Sequence, residues 1–491
     1  MKKIYDKCDV VIIGTGAGGA PFAKEVAESG AKVIILERGK EFLKVERGEN
    51  LFEGAVRVLS STNSFRGSIV LGKPPMIVGY GFCTGGSTAI NAGTCFRPPS
   101  HILKKWREEH GLEIFTEDYT GKIAEEVESF LPVKEVDERA MGKGGKVFAR
   151  GIKNLGWSGG VVKRNADGCL GCGACVVGCP VDAKKATHLS YLPSAIKAGA
   201  KLFIRAKVEK IIIKNGKVEG INGIWIDENG KKWEMEIRAS TVAVGCGAVH
   251  TPILLKRSIG SSLGVIGKNF RLHPGGVVGA IFDEEINCWK GVPQSYYCDE
   301  FLEEDMILLL GAIPPPIGAN LIPGFGIPHK ELMSKYKGFI DAGVLVSDTS
   351  SGEVLSIGGV PVIKYKLHDI DFLKLKRGMN ALAEIFFAAG AKYVFPLSQK
   401  GFIARNIREF REGVEKIKKE EMICGSIHPM GTAKMGRDKE KSFVNQFLES
   451  HIIKGLFVVD ASVLPTSTVI NPQETIMILS THAAKNFIKR G

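Results

Sequence analysis

The sequence has no apolar run approaching the roughly 18 residues that cross a bilayer as a helix. Its charged start, Met1 to Asp9, leads into an apolar stretch of only Val10 to Ile13 before glycines begin. That is too short for the apolar part of a secretory signal, so no membrane span and a cytoplasmic location are expected. Basic blocks with interleaved aromatics are missing, which argues against a nucleic-acid partner despite a net charge of +13. The excess positive charge reads as a solvated surface, or as a dock for an acidic carrier or an anionic ligand. Glutamine is scarce, confined to Gln294, Gln399, Gln446 and Gln473, while Lys, Glu and Ile are abundant. That bias resembles thermophile composition. Internal repeats and low-complexity tracts are absent as well. What is present is 491 residues with 44% hydrophobic content and a mean hydropathy of +0.05. This is enough chain for two or three domains with ample core.

The first positive signal is a β-α-β pattern. Asp9 to Ile13 is a short β-branched run of the kind buried in parallel sheets. It enters Gly14-Thr-Gly16-Ala17-Gly-Gly19, a helical stretch follows, and Lys32 to Glu37 forms a second apolar strand. In this G-x-G-x-x-G turn Gly14 permits the bend, Gly16 lets a pyrophosphate approach the backbone, and Gly19 packs helix on strand. The pyrophosphate would sit at the helix N-terminus, where free N–H groups favour anions. Glu37, 18 residues past Gly19, is placed to accept from ribose hydroxyls. NAD and FAD share this fingerprint. A second glycine cluster, Gly81 to Asn91 with Gly85, Gly86 and Ser87, reads as a backbone cradle or as a flexible loop.

The second signal is Cys169-Leu-Gly-Cys172-Gly-Ala-Cys175-Val-Val-Gly-Cys179-Pro180. The spacing is C-x2-C-x2-C-x3-C-P, the run that holds iron–sulfur clusters in bacterial ferredoxins. Structural zinc is a weaker alternative, because no second C-x2-C pair exists; thiols without metal are another. With a single run, Cys179 completes a [4Fe-4S] site, or three cysteines hold a [3Fe-4S] centre, or a remote thiol completes the cluster. The other seven cysteines (Cys8, Cys83, Cys95, Cys246, Cys288, Cys298 and Cys424) are scattered and read as small buried side chains.

The third signal lies near the C-terminus: His428-Pro-Met-Gly-Thr-Ala-Lys-Met-Gly436, then Asp460 within Gly455 to Thr468, then Asn471-Pro472-Gln-Glu-Thr475. These motifs, with the Gly14 turn, the Gly85–Asn91 loop and Thr241 to Pro252, closely resemble the glucose–methanol–choline (GMC) oxidoreductases. The resemblance implies FAD, with its pyrophosphate on Gly14, Gly16, Ala17 and Gly19 and its ribose on Glu37. Gly85, Gly86, Ser87, Asn91 and Val208 would hold its middle and adenine parts. Asp460, Asn471, Pro472 and Thr475 would border the ribityl chain and the flavin ring. Some members attach FAD through a histidine just before the loop asparagine; Ile90 stands there, which implies non-covalent FAD. His428 aligns with the family's catalytic histidine, and Asn471 with its partner. A neutral imidazole suits removal of a hydroxyl proton while hydride leaves for flavin N5. His273 and His482 read as structural, and His188 as a weak candidate neighbour of a cluster.

The expected fold is α/β (α+β overall): a Rossmann-type FAD-binding domain from 1–100, 190–275 and 425–491, an insert at 101–189 with the cysteine loop, and a substrate-binding domain with an antiparallel sheet at 276–424. Trp106 to Phe130 reads as a charged helical stretch, and Asp369 to Ala389 as a helix. The expected activity is FAD-dependent oxidation of an alcohol (a sugar, polyol or other CH–OH donor) to a carbonyl. Electrons would pass to the cluster and on to a carrier protein or quinone; a homo-oligomer is compatible. Three rivals stay open: an oxygen-using alcohol oxidase with a structural cysteine site, a reductase running the flow in reverse, and a non-catalytic electron-transfer subunit.

Overall fold

The computed structural model describes residues 2–49, 53–54, 56–58, 65–260, 264–320, 322–398 and 401–490. β1 (Val10–Ile13), α1 (Gly19–Glu28) and β2 (Val33–Glu37) form the β-α-β unit, and a hairpin of β3 (Phe65–Leu71) and β4 (Met76–Gly81) follows. Two helices, α2 (Ser100–His110) and α3 (Glu117–Phe130), make up the charged helical stretch expected over Trp106 to Phe130. Gly111, at φ 63°, ends the first, and the Thr116 hydroxyl caps the second by accepting from the Tyr119 N–H. β5 (Lys201–Ile204) and β6 (Thr241–Val244) return the chain to the first sheet; β7 (Gly275–Ile281), β8 (Met306–Leu310) and β9 (Phe339–Val346) belong to a second. α4 (Asp369–Ala388) packs on that sheet, β10 (Gly425–Ser426) joins it, β11 (Leu456–Val458) rejoins the first, and α5 (Gln473–Lys489) closes the chain.

The first sheet has the order β5-β2-β1-β6-β11, every neighbouring pair parallel. β1, β2, β6 and β11 are buried at every position, which is why they read as unbroken apolar runs. The sheet is assembled from strands more than 400 residues apart in the chain. The second sheet counts eleven strands among the described residues, mostly antiparallel. In β9, Ile340, Ala342, Val344 and Val346 share a core with Leu375, Met379 and Leu382 of α4. The alternate residues Asp341, Gly343 and Leu345 face the other way, into a cavity.

β10 stitches the molecule together. Its two residues pair in parallel with β4 (Gly425 opposite Ile77) and antiparallel with β7 (Gly425 opposite Gly275). His428 follows two residues later, held where the second sheet meets the first domain's loops. The mixed α/β architecture is as expected from the sequence. No helix among the described residues is long and apolar enough to cross a membrane.

Candidate active site

A cavity of about 1450 Å³ runs between the two sheets. At one end lies the β1–α1 turn. Gly14 has φ +98°, and a Cβ there would run into the Gly245 carbonyl; a Cβ on Gly19 would strike the Gly14 carbonyl. Gly16 is different: a Cβ there would meet nothing within 4 Å, so its open side faces the cavity. The start of α1 has no side-chain cap, which leaves its first N–H groups for an anion. Gly16, Ala17 and Gly86 all line this end, and a Cβ on Gly86 would come within 3.1 Å of the Gly16 Cα, so the two glycine loops touch.

Glu37 lines the cavity but is already engaged. Its Oε2 accepts from the Thr15 hydroxyl (2.7 Å) and N–H (3.2 Å), and its Oε1 from the Gly39 N–H (2.6 Å). Burial pushes its carboxyl above the usual range. It fastens both edges of the turn, and Oε1, which takes a single donor, keeps a lone pair for a ribose hydroxyl. Asp460 is held the same way: Gly247 N–H and the Thr251 hydroxyl donate to one oxygen, the Ser462 N–H to the other.

Ser87, Asn91, Val208, Asp460 and Pro472 also line the cavity, as does Ile90. Three expected contacts stand back from it: Gly19 and Gly85 pack behind their loops, and Thr475 is buried one turn into α5 with its hydroxyl unpartnered. Gln473 lies inside the Asn471–Thr475 segment expected to border the ribityl chain and flavin ring. It lines the cavity and accepts from the Asn91 side-chain N–H, tying the glycine loop to α5.

His428 and Asn471 meet in the cavity wall. His428 Nε2 and Asn471 Nδ2 are 3.4 Å apart, and Asn471 Oδ1 is buried without a partner. Behind them, His273 Nδ1 is 3.3 Å from His428 Nδ1. His273 therefore does not stand apart as a structural histidine: it backs the expected base. Its backbone is left-handed, at φ 58°. The Asp348 carboxylate fixes this turn by accepting from the Leu272 and His273 N–H groups, the Tyr365 hydroxyl and the Ser467 hydroxyl. Burial lowers the His428 pKa to about 4, and burial plus the neighbouring His428 holds His273 well below the ordinary value. Both rings are neutral at pH 7. His482 lies elsewhere, bonded to Tyr119 and the Gln446 carbonyl, and His188 packs beneath Gly85.

The cysteine loop forms part of the same wall. Gly173, Val176 and Val177 border the large cavity, while Cys169, Cys172, Cys175 and Cys179 surround a separate void of about 10 Å³. Two buried cations line that void, Arg164 and Lys184. Arg164 donates to Cys175 Sγ (3.1 Å) and to the Ala92 carbonyl. The Lys184 ammonium donates to the carbonyls of Ala89, Asn91 and Cys175 at 2.7–2.8 Å. Neither meets a carboxylate, and burial lowers the Lys184 pKa to about 7.

The donor chemistry thus suits an anionic thiolate centre, but the space does not. A void of that size holds about one water. Among the described residues no group of three or more His, Cys, Asp or Glu is arranged to hold a metal ion. The sequence-based cluster finds four gathered cysteines and no metal site.

Comparison with known proteins follows the same outline. A family model described as GMC oxidoreductase matches residues 9–275, and a second GMC oxidoreductase model matches 350–480. An uncharacterised GMC-type oxidoreductase of Mycobacterium tuberculosis is 32% identical over 99% of this chain and 76% of its own. A long-chain-alcohol oxidase of Arabidopsis thaliana is 29% identical over 98% of this chain and 68% of its own. A formate oxidase of Aspergillus oryzae, an FAD protein, superposes with a TM-score of 0.72 at 15% identity, covering 99% of this chain and 98% of that one.

Proposed function

The chain belongs to the GMC oxidoreductase family, whose members are FAD enzymes acting on CH–OH donors, and from that premise we propose that it oxidises an alcohol to a carbonyl with His428 as base and Asn471 as the group that orients the substrate oxygen. One observation carries the reading. His428 Nε2 and Asn471 Nδ2 converge at 3.4 Å in the wall of the cavity whose other end is the Gly14–Gly16 turn. FAD, when bound, supplies the hydride acceptor. Gly14, Gly16, Ala17, Glu37, Gly86, Ser87, Asn91, Val208, Asp460 and Pro472 are the residues that would hold it, and Ile90 offers no nucleophile for a covalent link.

The histidine pair sets the proton chemistry. Asn471 Nδ2 can only donate, so His428 Nε2 facing it is the lone-pair nitrogen. His428 then carries its proton on Nδ1 and donates to His273 Nδ1. In that tautomer Nε2 is free to take the alcohol proton, and Asn471 can donate to the oxygen left behind. An imidazole held neutral by burial is in the right state before each turnover. On this reading the substrate domain at 276–424 would supply one wall and the FAD domain at 1–100, 190–275 and 425–491 the other, with Gly173, Val176 and Val177 of the 101–189 insert beside it.

The test is anaerobic: alcohols are screened for bleaching of the bound flavin, in the wild type and in His428→Ala. Bleaching by one or more alcohols that the variant loses is the expected result. Equal bleaching in both would sink the assignment.

A second reading concerns the acceptor. The charge around the void, four cysteines with two buried cations and no carboxylate in its lining, is what supports reading an iron–sulfur cluster as the acceptor, and the small void weighs against it. A cluster there would supply one-electron chemistry beside the Asn91 loop, and the Cys169–Cys179 loop would have to open outward to admit it. Iron and acid-labile sulfide in anaerobically purified protein decide it; zinc or no metal, with rapid peroxide formation, would favour an oxidase.

A further inference from the structure

The substrate half of the cavity carries one charged group that the alcohol chemistry does not use. Asp341 projects from β9 into the cavity wall, 3% exposed. Its Oδ1 accepts from the Ile313 N–H at 2.9 Å. No cation pairs with it among the described residues, and burial raises its pKa to about 7. Space is reserved for it, because any Cβ on Gly311 would collide with the carboxyl. A buried carboxyl held by a single backbone donor is costly unless something else completes its hydrogen bonds.

Its position is informative. Leu345 of β9 stands opposite Gly275, which also pairs with Gly425, three residues before His428. Asp341 lies four residues further along the same strand, opposite Gly279. At the usual strand rise this is about 13 Å from the row that leads to His428. Between the two, Val277, Leu309, Gly343 and Leu345 make an apolar floor. The cavity therefore has a proton acceptor at one end, a carboxyl at the other and nothing polar along that floor.

Building on the alcohol-oxidising reading of this pocket, we propose that Asp341 anchors the far end of the substrate, and that the substrate is an alcohol bearing a second hydrogen-bond donor, an ammonium or a hydroxyl, across an apolar spacer of that length. The anchor touches the substrate but not the reacting atoms. It acts on KM and on choice of substrate, with the chemical step left to His428.

The experiment compares three alcohols of matched length on the flavin-loaded enzyme: a plain 1-alkanol, the α,ω-diol and the ω-amino-1-alkanol. In the wild type, kcat/KM for the two donor-bearing alcohols exceeds that for the alkanol by roughly ten- to a hundredfold, mostly through KM. Asp341→Asn keeps an oxygen for the Ile313 N–H, so the turn stays; the preference for the amine collapses while part of that for the diol survives. Asp341→Leu removes both preferences. A wild type without preference, or a variant that weakens all three substrates in one proportion, overturns the proposal.

Binding of an n-alkylamine, which has no alcohol, is followed by the flavin absorbance change. If no alcohol is oxidised yet Asp341→Asn weakens this binding, the reaction assignment has failed and the anchor stands. If alcohols are oxidised and amine binding ignores the substitution, the anchor has failed alone.

Discussion

The two ends of the Asn91 loop treat buried charge in opposite ways. On the flavin side the two buried carboxylates that line the cavity wall are well supplied by the protein: Glu37 takes three donors from Thr15 and Gly39, and Asp460 takes three from Gly247, Thr251 and Ser462. On the cysteine side, Arg164 and Lys184 are buried with carbonyls and one thiol for company and no carboxylate. The first arrangement is largely in place before any ligand arrives, and an anion at the Gly14–Gly16 turn meets the uncapped N–H groups of α1. The second lacks negative charge. Proteins seldom leave buried cations in that condition, and thiolates are the anions at hand. The difference teaches that a pocket's missing charge is as informative as its shape.

The sharpest way to separate the two regions is kinetic. His428→Ala is expected to slow flavin reduction by alcohol about 10²- to 10⁴-fold, the usual worth of a general base, read by anaerobic stopped-flow absorbance. On the proposed cluster reading, Cys172→Ser acts later, on reoxidation by a one-electron acceptor. A loss of similar size in flavin reduction would erase the distinction.

A stability measurement tests the charge argument itself. Lys184→Met strips a donor from three buried carbonyls and is expected to cost about 1–3 kcal/mol in metal-free protein, partly offset by removal of a buried cation. On the proposed cluster reading, the cost rises to about 3–5 kcal/mol in protein reconstituted anaerobically with iron and sulfide, because an anion then loses its counter-charge. Denaturant midpoints that move equally in both preparations would show that no anion occupies the void.

The same contrast explains what was legible in the sequence. Gly14 and Gly19 announce themselves because no other residue fits where a Cβ meets a carbonyl. His428 and Asn471 sit in motifs that read as a unit. Local spacing carried those signals. His273 was read as structural because its tie to His428 spans 155 residues and depends on a two-residue strand, β10, that no periodicity betrays. Asp341 was invisible for the same reason: in Phe339–Val346 it looks like one polar residue in a buried strand, and only the register of β7, β8 and β9 turns it toward the cavity. Arg164 lies outside the cysteine run, and nothing in its neighbours marks a buried cation. The helical stretch over Trp106 to Phe130 is divided at Gly111, a break whose left-handed φ the glycine permits.

The smallest expected effect is that of mild acid on the His428 end. Its folded pKa, about 4, lies below the ordinary value near 6.5, so the folded protein keeps the neutral ring where an unfolded chain would bind a proton. Between those values the unfolded state holds more protons, and stability rises with pH. The contribution is fully present above about pH 6.5 and is lost as pH falls towards 4. Activity follows the ring, not the unfolded chain. From pH 7 to 5 the base stays at least about 90% neutral, so kcat/KM for flavin reduction should change by less than about twofold, then drop about tenfold per unit below 4. The expected signature is an enzyme that loses stability in mild acid before it loses rate per folded molecule. Rate and denaturant midpoint measured across that range test it, and a rate that falls through pH 6.5 would mean that His428 titrates as an exposed histidine, open to water rather than sealed behind His273.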